Sequence, residues 1–390
     1  MVHNFYRSGA PGGEDVAFLQ ERELLQQSGH EIVSYTRSND EMSDSNPLDV
    51  VRTAWGLHRS QRTVRELGEV LRTSKPAVAH FHNTFPLVSE SGFDACRAAG
   101  VPVVQTLHNY RHTCIAATHF RAGEICEACV PGDARAGVRN RCYRNLPASV
   151  ALAWSTTRNH AARAQGRRVA RYIALNQFMA TRLRDSGVPA QQIVIKPNFV
   201  RPPMQRANAT GGYALFAGRL SVEKGLRTLL DAWQGASAGP LKIVGDGPLR
   251  PELAARIERE RLDVELLGLQ PRENVWRWLA EADVLIVPSL WFEGMPLVAL
   301  EALAMGVPVI GSNVGGLGEL LESDECGVGF ERGNATALAQ AVQRVRGDAM
   351  LRERLRMTGQ RKIDTDFSAA RSLEILEHTY RDVIAERIAA

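Results

Sequence analysis

The chain repeats one pattern along its length: a short apolar run, a turn rich in glycine or polar residues, and then a helix-forming stretch. In the first series the apolar runs are residues 2–6 (VHNFY), 30–36 (HEIVSYT), 77–82 (AVAHFH), 101–108 (VPVVQTLH) and 171–175 (RYIAL), with helices expected near 15–28, 48–74, 88–99, 147–166 and 177–186. Runs of this kind are typical of strands buried on both faces. Their alternation with helices predicts a mostly parallel sheet that is covered by helices on both sides.

The same pattern starts again after residues 196–212 (KPNFVRPPMQRANATGG), whose proline, glycine and asparagine content predicts a linker. The second series of apolar runs comprises residues 213–220 (YALFAGRL), 241–247 (LKIVGDG), 264–268 (VELLG), 283–289 (DVLIVPS) and 307–312 (VPVIGS). A last helix is expected near 368–389, where apolar residues recur at helical spacing. The sequence therefore predicts an α/β protein with domains at 1–196 and 197–367, followed by a terminal helix at 368–390.

The composition is that of an ordinary soluble globular protein, with 44% hydrophobic and 23% charged residues and a net charge of +4. No apolar run approaches the roughly 18 residues of a membrane-spanning helix, and the first residues do not resemble a signal peptide. We therefore expect a cytoplasmic protein. Six cysteines in a chain of this length, without an export signal, argue against a disulfide framework.

Two carboxylates stand eight positions apart in residues 288–319, a segment that also contains several glycines and prolines. Glu293 follows a predicted buried strand, and Pro296 suits the start of a helix that continues through LVALEALAM. Glu293 is thus expected in a strand-to-helix loop and Glu301 about two turns into the helix. Open α/β sheets bind ligands at the carboxyl ends of their strands, and carboxylates accept hydrogen bonds from hydroxyls. The pattern indicates a polyol site.

A second motif, GRLSVEKG, places Arg219 directly after another predicted strand and Lys224 five residues later, with Gly218 and Gly225 around them. Arginine binds phosphate through forked hydrogen bonds, and lysine acts as a compact positive charge. Two cations at the carboxyl end of a strand can therefore neutralise a diphosphate.

Together these motifs resemble those of retaining glycosyltransferases of family GT4, which carry an E-x7-E segment and a G-R-[LF]-x-x-x-K-G loop. The resemblance covers nearly the whole chain and implies the GT-B fold, in which two facing Rossmann-like domains enclose an interdomain cleft. It implies that Arg219 and Lys224 bind the diphosphate of a nucleotide-sugar donor. It also implies that Glu293 holds hydroxyls of the donor sugar and that Glu301 holds the ribose.

The resemblance extends to further positions. Gly12 and Gly13, after the first predicted strand, resemble the family's glycine loop over the donor phosphates. His108, at the end of a strand, takes the place of a histidine that touches the donor sugar near its 6-position and is needed for activity. Asn109 and Arg111 are neighbouring candidates for contacts with acceptor or phosphate. The other donor-binding positions that the resemblance implies are Asn198, Gly218, Gly245, Gly247, Gly294, Met295, Pro296, Leu297 and Val298.

The family's chemistry implies transfer of a hexose from a UDP- or GDP-linked donor to a glycan or lipid-linked glycan, in surface polysaccharide or glycoconjugate synthesis. It implies retention of configuration without a divalent cation or other catalytic cofactor. Two alternatives stay open from the residues: a nucleotide-sugar epimerase of similar fold, and a non-catalytic glycan or nucleic-acid binder. The joint presence of both motifs disfavours them, and nucleic acid is not an expected partner.

An insert at residues 109–146 separates a strand from the next helix and is rich in cysteine. Its four cysteines have the spacing C-x11-C-x2-C-x12-C, at Cys114, Cys126, Cys129 and Cys142. A CxxC pair with two further thiols favours a structural zinc site with a closed shell. An iron–sulfur cluster and four reduced thiols are the alternatives, with His112 and His119 as substitute ligands.

A basic stretch follows the insert: residues 135–184 contain eleven arginines and no acidic residue. Within it, residues 147–168 (PASVALAWSTTRNHAARAQGRR) combine an apolar start with an arginine-rich end. Such a segment can lie on an anionic membrane surface, where lipid-linked acceptors reside. A helix that packs on the sheet with its basic residues outward is the equal alternative. The expected location is thus cytoplasmic, with peripheral contact at the inner face of the membrane.

Overall fold

The computed structural model of the chain describes residues 1–9, 12–42, 60–130, 132–164, 168–201, 211–234, 239–322 and 325–389. The chain divides into two α/β units. The first contains Met1–His119, Cys126–Pro197 and Ser372–Ala390, and the second contains Phe120–Ile125 and Asn198–Arg371. The main division therefore falls after Pro197, one residue beyond the predicted domain boundary.

The strands of the described residues are numbered along the chain. They are β1 (Val2–Phe5), β2 (Tyr35–Ser38), β3 (Ala79–Phe81), β4 (Val103–Thr106), β5 (Phe120–Arg121), β6 (Glu124–Ile125), β7 (Arg171–Ala174), β8 (Ile193–Ile195), β9 (Ala214–Ala217), β10 (Leu241–Val244), β11 (Val264–Gly268), β12 (Val284–Val287), β13 (Val309–Ser312) and β14 (Gly327–Phe330). Each unit has a six-stranded parallel sheet, in the orders β2-β1-β3-β4-β7-β8 and β11-β10-β9-β12-β13-β14. A short antiparallel hairpin, β5-β6, lies in the cysteine insert.

Helices connect the strands of both sheets. In the described residues they are α1 (Gly13–Gln27), α2 (Gln61–Ser74), α3 (Ser91–Ala98), α4 (Arg135–Arg139), α5 (Leu146–Ala164), α6 (Gln177–Asp185), α7 (Leu226–Trp233), α8 (Arg250–Glu260), α9 (Arg272–Glu281), α10 (Leu297–Ala304), α11 (Gly315–Leu321), α12 (Ala335–Gly347), α13 (Ala349–Asp366) and α14 (Ala369–Ala389). In this part of the chain, no helix has the length and apolar character needed to span a bilayer.

Most predicted elements are present, with shifted ends. The strand expected at 30–36 begins only at Tyr35, because β1 starts at Val2 and pairs Val2 with Tyr35, so the earlier residues have no partner strand. The edge strands β8 and β14 and the hairpin of the insert were not predicted, since each offers only a few apolar residues. The first part of the helix expected at 48–74 lies outside the described residues.

Apolar side chains from alternate strand positions fill both faces of the second sheet. Ile243 and Ile286 belong to one buried cluster with Leu229 of α7, whereas Leu285 belongs to a second cluster with Leu303 of α10. Because successive strand residues point to opposite faces, a continuous apolar run buries both of them. The sheet is therefore held rigidly between two helical layers, and its strand ends are fixed points for the loops.

The terminal helix α14 belongs to the first unit. Its residues Leu376 and Val383 are almost fully buried and pack in one cluster with Leu25, Val104 and Ile173 of that unit. Burial of an aliphatic side chain of this size contributes about 1.5–3 kcal/mol. The chain thus completes the core of the first unit with its last helix.

Candidate active site

The ends of β9 and β12 lie side by side, because these two strands pair in parallel. Strand β9 leads to Arg219 and the short turn Val222–Lys224, and β12 leads to the loop that contains Glu293. Parallel strands direct their carboxyl ends to one edge of the sheet. Lys224 and Glu293, which are 69 residues apart in the chain, therefore meet at this edge.

Glu293 is 6% exposed and accepts three hydrogen bonds on Oε1. The donors are Nζ of Lys224 at 2.8 Å, Oγ of Ser289 at 2.6 Å and Nε1 of Trp291 at 2.8 Å. Burial raises the pKa of Glu293, but the Lys224 ammonium and the other donors outweigh it, and the net pKa lies below the usual value. The carboxylate is therefore ionised at neutral pH. Ser289 and Trp291 were not predicted, although both stand within four residues of Glu293.

Gly225 allows the two loops to approach this closely. It has a φ of +73°, and a Cβ at this position would lie 1.8 Å from the carbonyl oxygen of Pro288. The neighbouring backbone is joined as well, since the N–H of Leu290 donates to the carbonyl of Glu223 at 2.8 Å. A residue with a side chain at position 225 would push the Lys224 turn away from the Glu293 loop.

Glu301 lies one turn into α10 rather than two, because the helix begins at Leu297. Its carboxylate is paired with the guanidinium of Arg272, at 2.7 Å from Nη2 to Oε1. The Arg272 guanidinium also lies over the ring of Trp276, 4.7 Å from the centroid. Arg272 was not predicted, because it stands at the start of another helix, α9, with no motif around it.

The glycines of the predicted donor site converge beside β9. The N–H of Gly218 donates to the carbonyl of Val244, and a Cβ on Gly245 would lie 1.9 Å from the carbonyl oxygen of Gly218. A Cβ on Gly247 would lie 2.5 Å from the carbonyl oxygen of Leu220. Backbone segments are therefore packed here without room for side chains. Arg219, between them, is exposed and makes no ion pair with any residue the structure describes.

The loop after Glu293 is held at both ends. The N–H of Gly316 donates to the carbonyl of Glu293 at 2.9 Å, and Nδ2 of Asn198 lies 3.5 Å from the carbonyl oxygen of Met295. The remaining predicted residues continue the loop into the first turn of α10, in the order Gly294, Pro296, Leu297 and Val298. The structure therefore brings most of the predicted donor residues of the second unit to one edge of its sheet.

In the first unit, Gly12 caps the N-terminus of α1 and Gly13 is its first residue. The N–H of Gly12 donates to Oδ2 of Asp15 at 3.1 Å, and Oδ1 of the same aspartate lies 2.8 Å from Nε2 of His3. The N–H of Gly12 is thus engaged by Asp15 in this structure. A Cβ on Gly12 would also meet the ring of Tyr6 at 2.8 Å.

His108 lines a cavity that lies wholly within the first unit. It is half-buried, and its Nε2 is 2.9 Å from Nδ1 of His82. Burial lowers the pKa of His108 well below its usual value, and the neighbouring His82 lowers it further. Asn109 donates to Oε1 of Glu14 at 2.7 Å, and the Arg111 guanidinium stacks on Phe85 at 3.7 Å, both in the same cavity.

Behind His108 lies a fully buried polar cluster that was not predicted. Oε1 of Glu21 is 3.2 Å from both Nδ1 of His80 and Nε2 of His82, and Oε2 is 2.8 Å from Nζ of Lys196. Nδ1 of His80 is also 2.6 Å from the hydroxyl of Tyr380 on α14. His80 lies in the buried strand β3 and His82 directly follows it, and a spacing of two residues puts both side chains on one face of the sheet. This spacing is the sequence feature from which the cluster could have been predicted.

The spacing of Glu21, His80 and His82 could also suit a metal ion, since their ligand atoms lie within 4.8 Å of one another. The buried ammonium of Lys196 argues against this interpretation. It already neutralises the carboxylate, and a divalent cation beside it would add positive charge to a desolvated site. The cluster is better described as a neutral ion pair with two histidines.

The four cysteines of the insert are all free thiols in one region of the chain. Burial raises the pKa of Cys129 to about 11, and the neighbouring Cys114, Cys142 and Cys126 add to the shift. Among the described residues, however, no three of these sulfurs lie within 4.8 Å of one another. The thiols are therefore neighbours without a preformed tetrahedral shell. His119, a substitute ligand, uses both ring nitrogens on Thr113 and the carbonyl of Cys126.

Comparison with known proteins identifies the type of fold and the relatives of the chain. Residues 11–202 match the family model Glycosyltransferase Family 4, and residues 211–348 match Glycosyl transferases group 1. The structure of HepE from Anabaena, determined with UDP, matches with a TM-score of 0.68 at 18% identity, over 97% of this chain and 99% of that one. Sucrose-phosphate synthase from Thermosynechococcus elongatus matches with a TM-score of 0.72 at 20% identity, over 99% of each chain. The predicted class, two Rossmann-like units of GT-B type, is confirmed.

Curated relatives are similar over part of their length. WcaL of Escherichia coli strain K12, which is assigned by name to colanic acid biosynthesis, is 30% identical over 235 residues, which are 55% of this chain and 54% of WcaL. The amylovoran biosynthesis glycosyltransferase AmsK of Erwinia amylovora is 30% identical over 226 residues, 53% of this chain and 55% of AmsK. The chain thus matches about half the length of these relatives.

Replacing Glu293 by Gln should lower the free energy of unfolding by about 1–3 kcal/mol at neutral pH, because it removes a buried ion pair and leaves the Lys224 ammonium uncompensated. The pKa of Glu293 is depressed in the folded protein. The stabilisation is therefore complete above the unfolded pKa of about 4.3 and is lost as the pH falls through the lower folded value. Urea unfolding of both proteins across this pH range measures the difference.

The exposed Glu258 provides the matched control. Glu258→Gln should change the unfolding free energy by less than about 0.5 kcal/mol at every pH. If the difference in unfolding free energy between wild type and Glu293→Gln stays constant down to about pH 3, Glu293 is not held ionised by Lys224.

Proposed function

We propose that this chain, which matches glycosyltransferase family models in both of its halves, is a retaining glycosyltransferase. It moves a hexose from a nucleotide-sugar donor to a glycan or lipid-linked glycan acceptor, in the synthesis of a surface polysaccharide or glycoconjugate. The observation that carries the proposal is the 2.8 Å contact between Lys224 and Glu293 at two adjacent strand ends. This contact brings together a cation that can bind phosphate, Lys224, and a carboxylate that can accept hydrogen bonds from sugar hydroxyls, Glu293.

The charges around this contact fit the two parts of a sugar diphosphate. Lys224 keeps part of its side chain exposed, and Arg219 on the same loop is exposed as well, so both can reach a diphosphate. Glu293 stays ionised and can accept hydrogen bonds from hydroxyl groups. Glu301, one turn into α10, is paired with Arg272 at the start of α9. In the proposal, Glu293 binds the sugar and Glu301 binds the ribose.

The proposed reaction uses the charges at these positions. The bond between the anomeric carbon and the diphosphate oxygen breaks, and the electron pair leaves with the diphosphate, whose growing charge Lys224 and Arg219 stabilise. The acceptor hydroxyl forms the new bond on the same face of the sugar, and its proton passes to the departing phosphate oxygen. The configuration is thereby retained. Neither carboxylate has to form a covalent intermediate, and the charge stabilisation comes from side chains of the chain itself.

The names of the relatives support the proposed substrates. WcaL is assigned by name to colanic acid biosynthesis and AmsK to amylovoran biosynthesis. The matching structures of HepE contain UDP and UDP-glucose. For this chain we propose a UDP- or GDP-linked hexose as donor and no catalytic cofactor.

One face of helix α5 supports peripheral binding to an anionic membrane. Leu146, Val150 and Trp154 recur every four residues and are 43%, 48% and 50% exposed. Residues four apart lie on one side of a helix, so the three form an apolar stripe. The Arg158 guanidinium, 5.9 Å from the Trp154 ring centroid, adds positive charge beside it. This arrangement is typical of helices that lie in a membrane interface, where a lipid-linked acceptor would be met. The proposed location is the cytoplasmic face of the membrane.

The arginines around α5 are only partly available for this contact. Arg168 is paired with Glu90, Arg171 with Glu386 and Arg182 with Glu127, so acids from distant segments neutralise part of the basic stretch. Arg139, Arg141 and Arg158 are exposed, and the Arg158 guanidinium lies beside Trp154 of the stripe. Only part of the arginine-rich stretch therefore carries positive charge that no described acidic residue neutralises.

We also propose that the cysteine insert binds a structural zinc ion. The four thiols are neighbours, and zinc would draw Cys114, Cys126, Cys129 and Cys142 into a closed tetrahedral shell. The sulfurs must move together for this, since the described structure does not gather three of them. Zinc in this position would join Cys114 and Cys142 to the CxxC pair that lies between them in the sequence.

A screen of UDP-, GDP- and ADP-linked hexoses by thermal shift should identify a stabilising donor. With that donor, Lys224→Ala and Glu293→Ala should each lower kcat/KM by about 100-fold or more, because each removes a charge placed at the reacting centre. Lys362→Ala is the control, since Lys362 on α13 has a similar exposure and is paired with Glu325 and Asp366 rather than with a residue of the proposed site. Stabilisation by none of the donors would contradict the proposed function.

Trp154→Ala should weaken binding to vesicles of phosphatidylcholine and phosphatidylglycerol about fivefold, because about 1 kcal/mol of apolar burial in the interface is lost. Co-sedimentation at low salt measures the binding, with pure phosphatidylcholine vesicles as the comparison for charge. Met350→Ala, which removes a residue that is 85% exposed on α13, should bind as the wild type does. Equal binding by all three proteins would exclude α5 as the contact.

Metal analysis of the purified protein should find about one zinc ion per chain, and the Cys126→Ser and Cys129→Ser variants should lose it. Cys96→Ser and Cys326→Ser are the controls, because these cysteines are buried in the two units, away from the insert. If the protein is purified without a chelator and contains no zinc, the zinc proposal is contradicted. Iron in place of zinc would favour an iron–sulfur cluster.

A further inference from the structure

Trp291 stands in the loop between β12 and α10, two residues before Glu293, and its indole contacts both charged groups of the candidate site. Its Nε1–H donates to Oε1 of Glu293 at 2.8 Å. Nζ of Lys224 lies 5.1 Å from the centroid of its ring, within the range of a cation–π contact. One neutral side chain therefore holds the carboxylate with its edge and the ammonium with its face.

The backbone on both sides of Trp291 is fixed, so the indole has a defined place. Before it, the N–H of Leu290 donates to the carbonyl of Glu223 at 2.8 Å, and the carbonyl oxygen of Leu290 lies 3.4 Å from Nη1 of Arg332. After it, the side chain of Phe292 is almost fully buried. All of these residues belong to the second unit.

Oε1 of Glu293 receives more donors than it has lone-pair directions. A carboxylate oxygen offers about two such directions, and Lys224, Ser289 and Trp291 all donate to this one atom. Lys224 can leave most easily, because its side chain is 23% exposed and its ammonium is carried on a flexible stem. Ser289 is fully buried. After the ammonium has moved away, two neutral donors still fill both directions of the oxygen.

We propose that Trp291 is a positioning residue that joins the phosphate and sugar halves of the proposed donor site. Its ring guides the ammonium of Lys224. When a diphosphate draws that ammonium away from Glu293, the indole N–H and the Ser289 hydroxyl keep the carboxylate oriented for the sugar. The role in transfer rests on the proposed function, whereas the contact between the indole and the carboxylate does not.

The contact is tested without a donor, by NMR of the full chain labelled with 15N, in which the chain's six tryptophans give six indole N–H signals. Trp291→Phe identifies the signal of Trp291. Because a hydrogen bond to a charged acceptor is shorter and stronger than one to a neutral acceptor, this signal should lie downfield and move upfield in Glu293→Gln. The other five signals show that the variant is folded. An unchanged Trp291 signal in Glu293→Gln would overturn the contact.

Positioning is tested with the donor from the thermal-shift screen, by its hydrolysis without acceptor and by binding of its nucleoside diphosphate alone. Trp291→Phe keeps an aromatic face for Lys224 but loses the N–H that holds Glu293. Its kcat/KM for hydrolysis should fall about tenfold, as expected for one hydrogen bond to a charged group, while its affinity for the nucleoside diphosphate stays within about twofold. Trp291→Leu loses the aromatic face as well, and it should also bind the nucleoside diphosphate about threefold more weakly.

Trp233→Phe is the matched control. Trp233 belongs to the same unit, and its indole N–H also makes a single hydrogen bond, at 2.9 Å to the carbonyl oxygen of Gly239. Its replacement should lower stability without changing hydrolysis or binding of the nucleoside diphosphate. If Trp291→Phe hydrolyses the donor as fast as Trp233→Phe does, the positioning role is contradicted.

The joint action of Ser289 and Trp291 is tested by a double variant. Ser289→Ala and Trp291→Phe each leave one neutral donor on Glu293, whereas the double variant leaves only Lys224, which the diphosphate attracts. The loss in hydrolysis should therefore exceed the product of the two single losses, by about tenfold. A loss equal to that product would show that the two donors do not hold the carboxylate together.

Failure of this inference and failure of the proposed function give different results. If the wild type binds and hydrolyses none of the donors, the proposed function is contradicted, and the NMR comparison still decides whether Trp291 holds Glu293. If the wild type hydrolyses a donor and Trp291→Phe does so equally well, the proposed function stands and the positioning role fails.

Discussion

Parallel strand pairing is the constraint on which both candidate sites depend. Each unit has a sheet of six parallel strands, and such a sheet sends every strand end to one edge. Lys224 and Glu293 meet because β9 and β12 pair directly. His82 and His108 meet because β3 and β4 do. In both units the chemistry is assembled from loops that are distant in sequence and that the hydrogen-bonded ladder holds in register.

A carboxylate held ionised by lysine recurs in both units. Glu293 is paired with Lys224 and Glu21 with Lys196, each at 2.8 Å. Burial of such pairs carries a desolvation cost that can exceed the attraction, so they are weak contributors to stability. Their effect is to fix a charge in a defined place. In the second unit that charge faces a proposed sugar, and in the first it lies beside His80 and His82.

Sequence reasoning was most successful where a motif and a strand end coincided. Glu293 and Lys224 were both expected at the edge of the second sheet, and the structure brings them into contact. The start of β2 and the edge strand β14 were missed, because their limits depend on which partner strand is available. Arg272, the partner of Glu301, was missed since nothing in its own segment marks it. The hydrogen bond from the N–H of Gly12 to the carboxylate of Asp15 was not predicted either.

The sequence by itself determined the fold class, two α/β units with a terminal helix, and pointed to four charged residues of the second unit, Arg219, Lys224, Glu293 and Glu301. Apolar periodicity and loop motifs are local properties, and a single chain displays them directly. Only the tertiary structure decided which groups face one another: that Glu21 and Lys196 form a buried pair, that His82 stands between Glu21 and His108, and that α14 completes the first core. Such contacts join residues up to several hundred positions apart, and their burial and charge exist only after the chain has folded.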